Sequence, residues 1–254
     1  MKIVISPAKS LDYSTKVPVA HFTKPQFIKQ SKEVHSVLKK LSPNSLKDLM
    51  SISDKLASLN WQRNQERNFK FSEINETTRQ AMYAFNGDVY NGLDAYTLSE
   101  SQIDYVQEHL RILSGLYGYL RPLDLIEPYR LEMGTKLQIE EANNLYDFWK
   151  KSLTHALNKE FKKNDFLINL ASNEYFNVLD KKELKATLIT PEFKDYKDDK
   201  LKTISFFAKK ARGLMVRFMA ENNITKPEDL KLFQSEGYQF DNSLSTDTKW
   251  VFTR

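Results

Sequence analysis

A chain of 254 residues, 41% hydrophobic and 12% aromatic, carries enough apolar material for a full core, and this excludes the disordered class. Its 38 basic and 33 acidic side chains leave a formal net charge of +5, so any basic surface must come from where the cations sit rather than from their number. The absence of cysteine removes disulfides, iron–sulfur clusters, thiolate zinc sites and thiol nucleophiles.

No apolar run approaches the roughly 20 residues of a membrane span, and the first apolar run is too short for a signal peptide. A soluble, cytoplasmic chain with no membrane partner is expected. Residues 2–6 read as a buried first strand ended by Pro7. The strand feeds a loop carrying Lys9 and Asp12, and a loop held still by a core strand is a common place for a site, although most such loops do no chemistry. Residues 25–41 read as an amphipathic helix through Phe27, Val34, Leu38 and Leu41. Ser42 is then an N-cap, with Pro43 at the first helical position.

Residues 45–61, SLKDLMSISDKLASLNW, hold two short helices. Leu46, Leu49 and Met50 make one apolar side, Ile52 sits in the turn, and Leu56, Ala57 and Leu59 serve the second helix. Ser51 with Asp54 fits a capping box. The pattern resembles the helix-hairpin-helix of DNA repair proteins, in which N–H groups at a helix start meet a phosphate without reading sequence. Lys47, Ser51, Ser53, Lys55 and Arg63 are the candidate contacts of this element, at about 45–63. Ser51 and Ser53 stand where that hairpin usually has glycines, and Asp54 opposes a phosphate unless Lys47, Lys55 and Arg63 outweigh it. An ordinary pair of packed helices is the other reading.

Further on, 61–70 reads as a linker or extended arm, 73–85 as a helix, 85–94 as short turns and 100–113 as a helix. Residues 121–136 place Arg121, Asp124, Arg130 and Glu132 in one irregular loop, and a long loop in a compact domain is often functional. Arg130 and Glu132 either pair with each other or act as an anion clamp and a carboxylate facing a cleft. A short strand at 137–139, a helix at 144–161 and a buried strand at 166–170 follow. Ser172 and Glu174, just beyond that last strand, fit the rim of a cleft. Strands are expected at 188–193 and 201–207, separated by a solvated loop at 194–200.

In 203–217, TISFFAKKARGLMVR, the β-favouring run 204–207 gives way to a helix. Lys209, Lys210 and Arg212 sit at this junction, with Gly213 available for close backbone approach. That arrangement suits an anion such as a phosphate; a solvated charge run beside a core helix is the alternative. A short helix capped at 225–228 and a hairpin of 237–241 with 249–252 close the chain. With no repeats and no composition shift, one α+β domain over 1–254 is expected: a mixed α/β domain with a partly antiparallel sheet.

His21, His35, His109 and His155 are scattered without metal-ligand spacing, and no phosphate loop, dinucleotide fingerprint or nucleophile elbow is present. No metal and no cofactor are expected.

Eight stretches run in order along the chain: ISPAKSLDY (5–13), ISDKLA (52–57), GDVY (87–90), RILSGLYG (111–118), LRPLD (120–124), YRLEMG (129–134), NLAS (169–172) and ISFFAKKARGLM (204–215). Together they make the chain similar to the YaaA family of bacterial peroxide-stress proteins. The resemblance implies resistance to hydrogen peroxide, limitation of unincorporated iron and DNA binding. It also implies a mixed α/β fold unlike the common superfolds, with a positively charged cleft and a helix-hairpin-helix element at 46–59. Lys9, Arg121, Arg130, Lys209, Lys210 and Arg212 fall inside matching motifs and become candidates for the cleft, while no accepted catalytic residues come with the family.

Two functional expectations follow. The first is a non-enzymatic, sequence-tolerant binder of double-stranded or structured DNA that protects DNA or aids its repair, with any lowering of free iron indirect. The alternative is an enzyme on a nucleotide or nucleic-acid substrate, with Asp12 or Glu132 as its base. Oligomeric state and DNA-structure preference are not legible in the sequence.

Overall fold

Ile3, Val4 and Ile5 are consecutive and each 0% exposed. A strand with no solvent face belongs in the middle of a sheet covered on both sides, and that is where it lies. The computed structural model describes residues 1–198 and 200–254.

Among the described residues the sheet has eight strands: β1 (Lys2–Ile5), β2 (Leu110–Ser114), β3 (Gly118–Leu120), β4 (Phe166–Leu170), β5 (Thr187–Lys197), β6 (Lys200–Lys202), β7 (Gln239–Asp241) and β8 (Lys249–Thr253). Their order is β7-β8-β5-β4-β1-β2-β3, with β6 paired to β5 off this path. The β2-β1, β1-β4, β4-β5 and β5-β8 pairs are parallel, whereas β2-β3, β5-β6 and β7-β8 are antiparallel. This is a single mixed α/β domain whose sheet is mostly parallel and antiparallel at its margins. Registers Ile3↔Leu110 and Ile3↔Ile168 fix β1 between its two neighbours.

Nine α-helices accompany the sheet among the described residues: α1 (Ile28–Lys40), α2 (Pro43–Met50), α3 (Asp54–Glu66), α4 (Ala81–Ala84), α5 (Asp88–Leu93), α6 (Glu100–His109), α7 (Leu145–Glu160), α8 (Asn173–Phe176) and α9 (Ser205–Glu221). Ser42 caps α2 through Ser45 N–H, with Pro43 at its first position, as expected. Asn144 caps α7, whose Trp149 and Leu153 pack under Gly118 of β3.

Several expectations are corrected. The expected arm at 61–70 is largely the end of α3, which runs to Glu66. The helix expected at 73–85 shrinks to Ala81–Ala84, because the Asn75 carboxamide oxygen accepts from Thr77 N–H and Thr78 N–H and holds a turn there instead. The turns expected at 85–94 contain α5. The helix expected over 100–113 stops at His109, and 110–114 is the buried strand β2. Residues 137–139 form only an isolated bridge, Ile139 to Ala142. Strand β5 continues to Lys197 through most of the expected loop at 194–200, of which Asp199 lies outside the described residues. The strand expected at 201–207 ends at Lys202, and Ser205-Phe206-Phe207 is the first turn of α9.

Candidate functional site

The chain leaves β1 towards β2 on one side and leaves β4 towards β5 on the other. The crevice beyond the carboxyl ends of β1 and β4 is therefore a topological switch point, the usual ligand position of a parallel sheet. The two loops that part there are stitched together: Ser172 N–H donates to Ser6 Oγ at 2.9 Å, and Ser6 Oγ lies 3.3 Å from Ser172 Oγ. The Tyr90 hydroxyl of α5 donates to the Ser6 carbonyl at 3.1 Å.

Over this stitch the long 121–136 loop folds back. Glu132 Oε1 lies 3.2 Å from Lys9 Nζ, 3.0 Å from Arg130 Nη2 and 3.1 Å from Arg130 Nε. The structure thus brings together Lys9, Arg130 and Glu132: Arg130 and Glu132 bind each other, and both line a small hollow. Tyr175 forms its floor, with its hydroxyl pushed up by burial, so it stays neutral. On the rim, Glu174 Oε1 accepts from Gly134 N–H at 3.2 Å.

Asp12 sits apart from this hollow. Its Oδ1 accepts from Ser14 N–H at 2.8 Å, Ser14 Oγ at 2.9 Å and Thr15 N–H at 3.1 Å, with Arg79 Nη1 at 3.7 Å. Burial opposes the charge, but the Thr15 and Ser14 hydrogen bonds outweigh it and hold the carboxyl well below the usual carboxylate range. A carboxylate so firmly ionised suits an anchor better than a general base. It borders a separate cavity of about 130 Å³ with Tyr83, Asn86, Tyr90, Asp94 and Tyr96.

Arg121 does not reach the crevice. It follows β3, whose Leu120 pairs with Ile112 in the middle of β2, and the antiparallel strand carries it on away from the crevice. There its Nη2 lies 3.1 Å from Asp124 Oδ1, and its N–H donates to Asp124 Oδ2 at 2.8 Å.

The basic segment is helical throughout. Lys209, Lys210 and Arg212 lie more than a turn inside α9, not at a strand–helix junction. Gly213 faces α5 rather than a ligand: a Cβ there would sit 1.8 Å from the Val89 carbonyl oxygen, and one on Gly92 would sit 2.2 Å from that of Lys210. Lys210 pairs with Glu236. Arg212 is half-buried, and burial lowers its pKa. Lys209 is exposed, with no ion pair among the described residues. Helix α5 links this segment to the crevice, since a Cβ on Gly87, just ahead of it, would meet Ala8 at 3.2 Å.

The α2–α3 element is two helices joined by Ser51-Ile52-Ser53. Ser51 is left-handed at φ 51°, Ile52 N–H donates to the Lys47 carbonyl, and Ser53 Oγ accepts from Leu56 N–H. The N-cap of α3 is therefore Ser53, and the expected Ser51–Asp54 box does not form. Asp54 is paired with Lys47 at 2.8 Å, whereas Lys55 stands exposed. Arg63 turns inward towards Asn60 and the neighbourhood of Tyr13 and Arg67, away from the turn.

Sequence reasoning passed over Ser6, Tyr90 and Arg79. Ser6, last before Pro7 on the first strand, carried a signal; Tyr90 and Arg79 act through contacts made across the fold. Among the described residues, no group of three or more His, Asp or Glu is placed to hold a metal ion, and no helix is long and apolar enough to cross a membrane.

Fold and crevice together define a mixed α/β protein with a cation–carboxylate cluster at the switch point of a mostly parallel sheet. The family model for peroxide stress protein YaaA matches residues 1–244. The chain belongs to that family. It is 59% identical over 254 residues to a UPF0246 protein of Flavobacterium psychrophilum, covering 100% of both chains. It is 51% identical to a UPF0246 protein of Hahella chejuensis, covering 100% of this chain and 99% of the relative, and 53% identical to one of Aliivibrio fischeri, covering 100% and 98%. The family's name supports a role in the oxidative-stress response.

Proposed function

We propose that this chain is a DNA-binding protein of the peroxide-stress response that grips backbone phosphates without reading sequence and so protects DNA or aids its repair. The observation that carries this reading is the α2–α3 turn. Asp54 and Lys55 open a 13-residue helix, where their N–H groups have no intrahelical acceptor, beside the exposed Ser51, Ser53 and Lys55. Lys47 offsets Asp54, which would otherwise repel a phosphate. Lys9, Arg130, Lys209, Lys210 and Arg212 supply further cations. Limitation of free iron is indirect in this reading, a consequence of family resemblance rather than of an iron site. The test is an electrophoretic shift of a labelled duplex and a branched junction at low salt. Retarded bands that disappear as salt rises are expected; no shift of either at low salt would refute the proposal.

A second reading, an enzyme on a nucleotide or nucleic acid, is favoured by one observation: Lys9, Arg130 and Glu132 meet at the switch point, with Glu132 Oε1 shared by both cations. In that reading the cations hold phosphate and Glu132 is the group to test. Turnover of a nucleotide panel that disappears in Glu132→Gln supports it, and no turnover by the parent chain rules it out.

A further inference from the structure

Away from the crevice, residues Ser10–Leu11 pair antiparallel with Phe85–Asn86, and the Asp12 N–H donates to the Ala84 carbonyl at 2.8 Å. These bonds hold Asp12 at the junction of α4 and α5, where it borders the cavity of about 130 Å³. Asp94, which ends α5 in the left-handed region at φ 46°, lines the same cavity.

The lining is of one chemical kind. Its aromatic residues come as two packed pairs: Tyr83 with Tyr96, ring centroids 5.0 Å apart, and Phe85 with Tyr90 at 5.3 Å. Its polar residues are those four rings' hydroxyl-bearing members, the carboxylates Asp12 and Asp94, and the carboxamides Asn86 and Asn91, with no Lys, Arg or His. Arg79 Nη1 stands 3.7 Å from Asp12 Oδ1 and Arg217 Nη1 3.6 Å from Asp94 Oδ2, beyond hydrogen-bond distance, and neither arginine lines the cavity. Carboxylates among aromatic rings attract a cation by two routes at once, charge pairing and the negative ring faces.

A second observation points to a ligand. Tyr83 is 1% exposed, and its hydroxyl has no hydrogen-bond partner among the described residues. Its neighbour differs: the Tyr96 hydroxyl donates to the Tyr83 carbonyl at 3.4 Å and accepts from Arg79 Nη1 at 3.3 Å. A buried hydroxyl without a partner is costly, and Tyr83 lines the hollow, so an N–H donor held there supplies what the chain does not. The volume suits about six non-hydrogen atoms, since a cavity of about 150 Å³ takes benzene. That is larger than a bare ion, and among the described residues no group of three or more His, Asp or Glu is placed to hold a metal.

We propose that this cavity binds a short aliphatic diamine, whose ammonium groups pair with Asp12 and Asp94 while its methylene chain lies against the rings of Tyr83, Phe85, Tyr90 and Tyr96. The site stands apart from the DNA reading, and either can fail without the other.

The experiment is isothermal titration calorimetry of the full-length chain with putrescine, the matching neutral diol and tetramethylammonium chloride, at constant ionic strength. Putrescine is expected to bind one to one with a Kd of about 1 mM or tighter. The diol has no charge for the carboxylates and tetramethylammonium has no N–H to donate, so both should bind at least about tenfold more weakly. Asp94→Asn and Asp12→Asn should each weaken putrescine by about tenfold or more, and Tyr83→Phe by severalfold. Asp12→Asn keeps a side-chain oxygen for the Ser14 and Thr15 N–H groups. Should it nevertheless fail to fold, Asp94→Asn, at a half-exposed carboxylate, and Tyr83→Phe decide the matter. No saturable binding of putrescine by the parent overturns the proposal. So does binding that these variants leave unchanged, which would place the amine elsewhere on the surface, or equal binding of the diol or tetramethylammonium.

Discussion

Gly213 of α9 lies against Val89 of α5 so closely that a Cβ would come within 1.8 Å of the Val89 carbonyl oxygen. Helix propensity alone favours alanine over glycine by about 1 kcal/mol. Steric exclusion reverses that sign, because the obstacle is backbone and cannot rotate away. Gly213→Ala should cost at least about 3 kcal/mol, read as a lower urea midpoint.

Arg111, 5% exposed, has its counter-charge in Glu160, which also accepts from the Tyr119 hydroxyl at 2.7 Å. Removing that charge by Glu160→Gln strands the guanidinium and should cost about 3–5 kcal/mol. Burial raises the Glu160 pKa, but the Arg111 hydrogen bond and charge outweigh it, and the net shift is downward. The stabilisation is therefore complete above the unfolded carboxylate value of about 4.3 and is lost as pH falls through the lower folded value. Denaturation curves of the parent and Glu160→Gln should differ most near neutrality and converge in acid.

Ser51 holds a left-handed conformation at φ 51°, which an L side chain disfavours and glycine adopts freely. Ser51→Gly should raise stability by about 0.5–1 kcal/mol in thermal melts.

The Tyr83 hydroxyl is buried without a hydrogen-bond partner among the described residues. An unpaired buried polar group costs about 1–3 kcal/mol, so Tyr83→Phe should be stabilising by about 1 kcal/mol. A loss of stability in calorimetry would show that the hydroxyl has a partner in solution.

Lys55→Glu and Lys209→Glu should each weaken DNA binding across unrelated sequences alike and lower the salt slope by about one unit. Titrations at several salt concentrations measure both effects.

The mixed α/β class, β1, β4, α7 and the α2 cap were readable in the sequence because each carries a strong local signal. Strand β2 was not. Ile103, Val106, Leu110 and Leu113 continue a helical spacing across its border, and a short run buried on both faces looks the same in either state. The start of α9 was misread because Ile204, Phe206 and Phe207 favour strands locally, whereas they open a helix whose later residues Lys210–Leu214 pack against α5. At the crevice, Lys9, Arg130 and Glu132 were legible as chemistry, but their meeting at one carboxylate oxygen depends on the return of the long loop. Arg121 failed to join them because Asp124 claims it first, and Arg63, expected at the α2–α3 element, turns to Asn60 instead.

The central position of β1 also governs how the chain acquires its shape. Its partners are Leu110 on one side and Ile168 on the other, both far downstream, so β1 has both edges open during synthesis until those strands have been made. Sheet closure is then a late, non-local event, which predicts slow refolding and a nascent chain that depends on chaperones to keep Ile3, Val4 and Ile5 from pairing elsewhere.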